Sequence, residues 1–432
     1  MPKTTGRLVG VVELARLAVC VVAAASGAPL AAADDRCYRD PATGFEIHRA
    51  RSVILVDAAL HRLSPPAATA NTAPIWQRGL ESAEWLMHRL PEGSEYAVML
   101  GDESIDPDAA SKWWRAGSAA DAERAFDALR AHGAPERAVD LASEIDAAMA
   151  LEPKPERLLL IVGALPGYPE SDSRAQLDAF NKMTKHVKRG VAVDVLVMPL
   201  VSDWGVAPAY WVLALRTDGS LLTVGSDWPT VAKDGLGDSE YIVFVVDTSG
   251  SMQRYRWKWA QQRLEEVLQS QHRLRFFQVV NDNGTPLLGN RPAWAAATPY
   301  QEWAASRALE KWHPWSQSSP LNGLAVAIEQ ARTVPNSSVY LIGDDWAAGS
   351  IEKLEQKLGS EGFGNVRVSA VALPTIYEAT SGEMYTAADY AAYVERIVLR
   401  TGGAFLGAPT GAAAKGSNRF PDPPPPQCSR RR

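Results

Sequence analysis

The chain has 432 residues, too many for one compact core, so two domains are the default expectation. Apolar residues at 46% suit a globular protein, and a net charge of −6 argues against nucleic acid as the main partner, because phosphate binding needs a basic surface. Fourteen tryptophans serve packing first, with some left to rim a binding face.

Lys3, Arg7 and Arg16 give the N-terminus a positive charge, Leu17 to Ala25 form a short apolar run, and Ala31-Ala32-Ala33 follow. This order predicts a secretory leader over 1–33, and hence an exported protein, periplasmic or extracellular. The run falls short of the ~20 residues that a membrane span needs. No later stretch is long and apolar enough, so any membrane association is expected only through a partner. Cys20 would leave with the leader. Cys37 and Cys428 remain and can pair in an oxidising compartment, or stand as separate thiols.

Further along, the chain repeats itself. Ser52 to Val56 form an apolar strand pattern ending in Asp57, and Tyr241 to Val246 form another ending in Asp247. About a hundred residues later each half has a second apolar run, Leu158 to Val162 and Val339 to Ile342. An amphipathic helix pattern precedes each one, Ile145 to Met149 and Leu324 to Ile328. A further strand follows at 191–200 and at 366–374. Each half closes on a similar phrase, LALRTDGSLLTVG at 213–225 and IVLRTGGAFLGAP at 397–409. Continuous apolar strands alternating with helices predict α/β domains, each a mainly parallel sheet covered by helices on both faces. The expected order is a first domain over 45–228, a linker within 226–238, a second domain over 238–410 and a Pro-rich tail over 415–432.

Ligands of such sheets bind beyond the carboxyl ends of the strands. Asp247-Thr248-Ser249-Gly250-Ser251 lies there, and this D-x-S-x-S after a strand resembles the metal-ion-dependent adhesion site of von Willebrand factor A (vWA) domains. Ser319-Pro320-Leu321 before a helix and Asp344 after the next strand fit the two later pieces of that motif, and the resemblance covers roughly residues 238–410. It implies two Rossmann-like vWA domains, the second with an intact site. Ser249, Ser251 and Ser319 would ligate Mg²⁺ (or Mn²⁺ or Ca²⁺) directly, and Asp247 and Asp344 would act through ordered waters. The residue types suit the ion on their own account, since Mg²⁺ wants oxygen ligands at about 2.0–2.1 Å and keeps several waters. Two departures stand out. Ser319 occupies a position where Thr is commoner, and Asp344-Asp345 replaces the usual Asp-Gly.

The first copy keeps Asp57 but has Ala58-Ala59-Leu60-His61 in place of the hydroxyls and Gly163 in place of the second aspartate. A lone Asp there predicts a metal-free copy. The implied activity is metal-dependent capture of an Asp or Glu presented by a protein partner, with Trp315, Asp345 and Trp346 as a rim. No G-x-S-x-G elbow, Walker loop or H-E-x-x-H occurs, so no catalytic residue is assigned and an enzyme is not expected. Two alternatives remain: a metal-assisted hydrolase using the same aspartates, and an envelope scaffold with a stabilising metal.

Overall fold

A computed structural model describes residues 37–40, 43–61, 75–106, 111–133, 140–163, 183–198, 206–224, 239–253, 255–271, 273–288, 293–312, 314–316, 320–344, 351–373 and 384–409. The expected leader over 1–33, the expected linker within 226–238 and the Pro-rich tail lie outside the described residues, as do Cys428, Ser319, Asp345 and Trp346. Cys37 is disulfide-bonded. Among the described residues, no helix is long and apolar enough to cross a membrane.

The apolar runs form strands of one kind: a half-buried first residue, then five buried ones. This pattern holds for β3 (Arg51–Val56), β4 (Glu95–Leu100), β7 (Arg157–Val162), β8 (Ala192–Val197), β10 (Tyr241–Val246), β11 (Phe276–Asn281) and β14 (Arg367–Ala372). Burial on both faces is what a parallel sheet between two helix layers demands. Shorter strands complete the set: β1 (Cys37–Arg39), β2 (Glu46–His48), β5 (Glu103–Ile105), β6 (Trp114–Arg115), β9 (Leu221–Val224), β12 (Ala295–Ala296) and β15 (Ala404–Gly407), with the longer β13 (Ser337–Gly343).

The helices are α1 (Ile75–Arg89), α2 (Ala119–His132), α3 (Leu141–Met149), α4 (Val206–Arg216), α5 (Tyr255–Ser270), α6 (Pro299–Lys311), α7 (Pro320–Arg332), α8 (Ile351–Leu358) and α9 (Met384–Thr401). Alternate strand residues feed two cores. Val53 and Leu55 pack with residues of α3, α4, α7, α8 and α9 on one face. Ile54 and Val56 pack with residues of α1, α2, α5 and α6 on the other. Both cores run the length of the molecule.

Among the described residues, all strands but β1 and β2 belong to one sheet of 13 strands, in the order β12-β11-β10-β13-β14-β15-β9-β8-β7-β3-β4-β5, with β6 beside β4. With β6 left aside, the order within each half counted from its first long strand is 3-2-1-4-5-6, the doubly wound Rossmann arrangement. Two separate sheets were the expectation; the structure joins them. β15 pairs antiparallel with β9, Phe405 opposite Thr223 and Leu406 opposite Leu222. The strands that pair are the ends of the two similar closing phrases. Thr217 and Thr401 each bond back to the carbonyl four residues earlier (3.0 and 2.9 Å) and accept a strand N–H, from Val193 and Val368. Asp218 and Gly402 then turn at positive φ. Trp211 of α4 meets Phe405 edge-on at 6.1 Å and so bridges the junction.

The β1–β2 hairpin ties the halves again. Its Tyr38 packs on Trp85 of α1, while Arg39 pairs with Glu266 of α5. Because β15 and β9 are antiparallel, the strand ends of the two halves fall on opposite edges of the sheet.

Candidate metal centre

Asp247 follows β10 directly and is fully buried. Its Oδ1 accepts the Ser249 N–H at 2.7 Å, which folds the hydroxyl loop back over the strand end. Its Oδ2 has no hydrogen-bond donor among the described residues. The Ser249 and Ser251 hydroxyls touch at 2.8 Å, and Ser251 donates to Asp344 Oδ1 at 2.8 Å. Asp344 follows the neighbouring strand β13. Gly343, just before it, lets that strand approach, since a Cβ there would lie 3.1 Å from both Asp247 Cβ and Tyr390 Oη. Burial first, then the charges of Asp344 and Asp282, push Asp247 up to about 8. Four of the five residues expected to hold a metal are thus brought together. The fifth, Ser319, lies outside the described residues, immediately before α7.

Several residues of the cluster were not anticipated. Asp282, buried at the end of β11, accepts the Thr248 N–H (3.1 Å), the Thr248 hydroxyl (2.6 Å) and the Ser316 hydroxyl (2.8 Å). Ser316 also donates its N–H to the Thr248 carbonyl at 2.9 Å. A buried carboxylate therefore pins two loops to each other, and it follows a strand just as Asp247 does, a signal legible in FFQVVND. Arg256, in the first turn of α5, is buried. It stands 3.3 Å from Asp344 Oδ2 and donates to the Ser251 carbonyl. Trp315, expected at the rim, is 77% exposed next to Ser316.

The first half repeats this geometry with different side chains. Asp57 Oδ1 accepts the Ala59 N–H at 2.7 Å, as Asp247 does from Ser249. The expectation of a lone aspartate is corrected here. Glu144 of α3 is fully buried beside it, and its Oε1 accepts the Ala58 N–H at 3.2 Å. That N–H corresponds to the one that Asp282 holds in the second half. Register gives Gly101 in the first half the place that Asp282 holds in the second, and the fourth residue of the helix is Glu144 in α3 but Gly323 in α7.

The pair has exchanged sides. A carboxylate on the strand faces glycine on the helix in one half, and the reverse holds in the other. A Cβ on Gly323 would lie 2.4 Å from the Asn281 carbonyl, while one on Gly101 would lie 3.5 Å from Glu144 Oε1. Burial, then the charge of Asp57, pushes Glu144 up to about 9, and burial pushes Asp57 up to about 6. The site thus holds two buried carboxyls and, among the described residues, no hydroxyl, and Asp57 Oδ2 and Glu144 Oε2 are both without a hydrogen-bond partner.

Of other clusters, Cys37, Glu46 and His48 lie within reach of one another, but the Cys37 sulfur is committed to its disulfide.

No protein-family model and no curated protein matches the chain. Among solved structures it is similar to a von Willebrand factor type A protein from Catenulispora acidiphila, at 17% identity and a TM-score of 0.29, covering 37% of this chain and 42% of that one. It is similar also to proximal thread matrix protein 1 of the mussel byssus (14%, TM-score 0.28, 85% of this chain and 94% of that one). A third is the conserved hypothetical protein BatB from Bacteroides thetaiotaomicron (15%, TM-score 0.26, 39% and 89%). The chain spans less than half of the first of these. Likenesses this low carry no weight for the site; the strand order by itself defines a doubly wound α/β fold.

Proposed function

We propose that the second half binds a divalent cation, Mg²⁺ by preference, and through it captures an acidic side chain of a protein partner. One observation carries the reading. Asp247 Oδ2 is buried without a donor at the spot where two serine hydroxyls and a second carboxylate converge. An unpaired carboxylate oxygen out of water is costly unless a cation or a proton answers it. The oxygen-only donor set suits a hard cation that keeps waters.

Ser249 and Ser251 would hold the ion directly, with Asp247 and Asp344 reaching it through water and Ser319 completing the set from the foot of α7. When bound, the ion offers an open coordination position to an outside carboxylate. Asp282 keeps the two loops in register, and Trp315 stands at the entrance as an apolar anchor. The resemblance to vWA domains supports binding over catalysis.

The experiment is thermal melting of the full chain against Mg²⁺, with Asp247→Asn and Asp57→Asn alongside. Wild type and Asp57→Asn should gain about 2.7 kcal/mol when free Mg²⁺ is a hundredfold above its dissociation constant, and Asp247→Asn should gain nothing. A wild type indifferent to Mg²⁺, or a shift lost with Asp57→Asn, would overturn the assignment.

A further inference from the structure

A positive charge sits inside the proposed cation site, and no account of the ion alone explains it. Arg256 occupies the second position of α5, where the helix dipole disfavours a cation. It is only 6% exposed, and it is held on the loop that carries the hydroxyls by its bond to the Ser251 carbonyl. It also stands 3.3 Å from Asp344 Oδ2. It thus neutralises one of the carboxylates that would attract the ion.

With an ion bound and all three carboxyls ionised, Asp247, Asp282 and Asp344 bring three negative charges to these strand ends and Arg256 brings one positive charge, counted among the described residues. A bound divalent cation then makes the cluster neutral. Were residue 256 uncharged, the loaded cluster would keep a negative charge and repel an approaching carboxylate. In a buried site that repulsion is poorly screened.

We propose that Arg256 sets the specificity of the site for acidic partners: it weakens the hold on the ion and strengthens the hold of the loaded site on a carboxylate. This rests on the reading of the second half as a cation site. The two effects have opposite signs, and a merely structural arginine would not separate them.

The test uses the full chain, Mn²⁺ as the metal and acetate as the carboxylate. Calorimetry gives the Mn²⁺ affinity, and broadening of the acetate methyl resonance by protein-bound Mn²⁺ gives the carboxylate affinity. Arg256→Gln should bind Mn²⁺ several-fold more tightly and acetate about tenfold more weakly. Arg256→Lys, which restores the charge, should return both towards wild type. If Arg256→Gln loses Mn²⁺ and acetate affinity together, or leaves acetate unchanged, the proposal is wrong while the cation site stands. If wild type binds no Mn²⁺, both fall.

Discussion

Replacing Glu144 by glutamine should make the protein more stable at neutral pH, although it alters a buried charged-type residue beside another. Glu144 is fully buried, and burial with the adjacent Asp57 raises it to about 9, so the folded chain keeps it protonated at pH 7. In the unfolded chain it ionises near 4.5. A carboxyl raised in this way contributes its full stability below pH 4.5 and loses it progressively as pH climbs to about 9. At pH 7 the loss is about 3 kcal/mol, at roughly 1.4 kcal/mol per pH unit. Glutamine never ionises and escapes that loss. Its carbonyl can still accept the Ala58 N–H, now held at 3.2 Å. Melting temperatures of wild type and Glu144→Gln, measured from pH 4.5 to 8.5, should coincide at the acid end and diverge with rising pH, the variant melting higher. Glu144→Ala should be the less stable at every pH, since it orphans the Ala58 N–H and leaves a void. Parallel curves for wild type and the glutamine variant would show that Glu144 is ionised in the native state, and would sink the reasoning.

The exchange of carboxylate and glycine between the halves can be run backwards. Asp282→Gly and Gly323→Glu should each cost about 2 kcal/mol or more, and the double variant should cost clearly less than their sum; an additive cycle in melting experiments would refute the correspondence. Gly407→Ala should cost about 1–3 kcal/mol, because the new methyl would lie 2.5 Å from Trp211 Nε1 at the junction of the halves, and unaltered melting would show that the junction yields. Trp315→Ala should leave melting and Mg²⁺ binding unchanged, the side chain being 77% exposed, yet weaken capture of the protein partner severalfold or more in a binding assay.

The strands were legible because burial on both faces leaves little choice of side chain: VILV, LLLIV and YIVFVV admit few other readings. The helices before β7 and β13 were legible from their apolar stripes. Glu144 lies on such a stripe, with Leu141, Ile145 and Ala148 on the same buried face, and this was the available sign that it was not a surface acid. Asp282 carried the same strand-end sign as Asp247. It went unread because the D-x-S-x-S pattern already supplied a complete ligand set without it. Arg256 could not be placed from sequence. Its pairing with Asp344 spans 88 positions and depends on how α5 leaves the strand end, which periodicity does not encode. The pairing of β9 with β15 was equally hidden. The closing phrases showed that the halves are alike, but likeness of two edge strands does not say that they meet.

That meeting gives the first half a physical role without any metal. A strand such as AFLG in β15, with every residue buried, would be a sticky edge in an isolated domain, open to pairing with any other chain. Here β9 covers it, and Trp211 of α4 closes over the seam. The residues that set each closing strand against its own neighbour recur in the two halves: Thr217 and Thr401 bond back to their helices, Asp218 and Gly402 follow at positive φ, and a Cβ on Gly219 or Gly403 would lie 1.8 Å from the Val193 or Val368 carbonyl. The strand-end residues, which face the opposite edges, diverged. One half carries the hydroxyls of Ser249 and Ser251 there, and the other the buried carboxyls of Asp57 and Glu144. What the two halves share sets each closing strand in its own sheet. Where they differ, the two strand-end edges carry different chemistry: hydroxyls and aspartates on one, two buried carboxyls on the other.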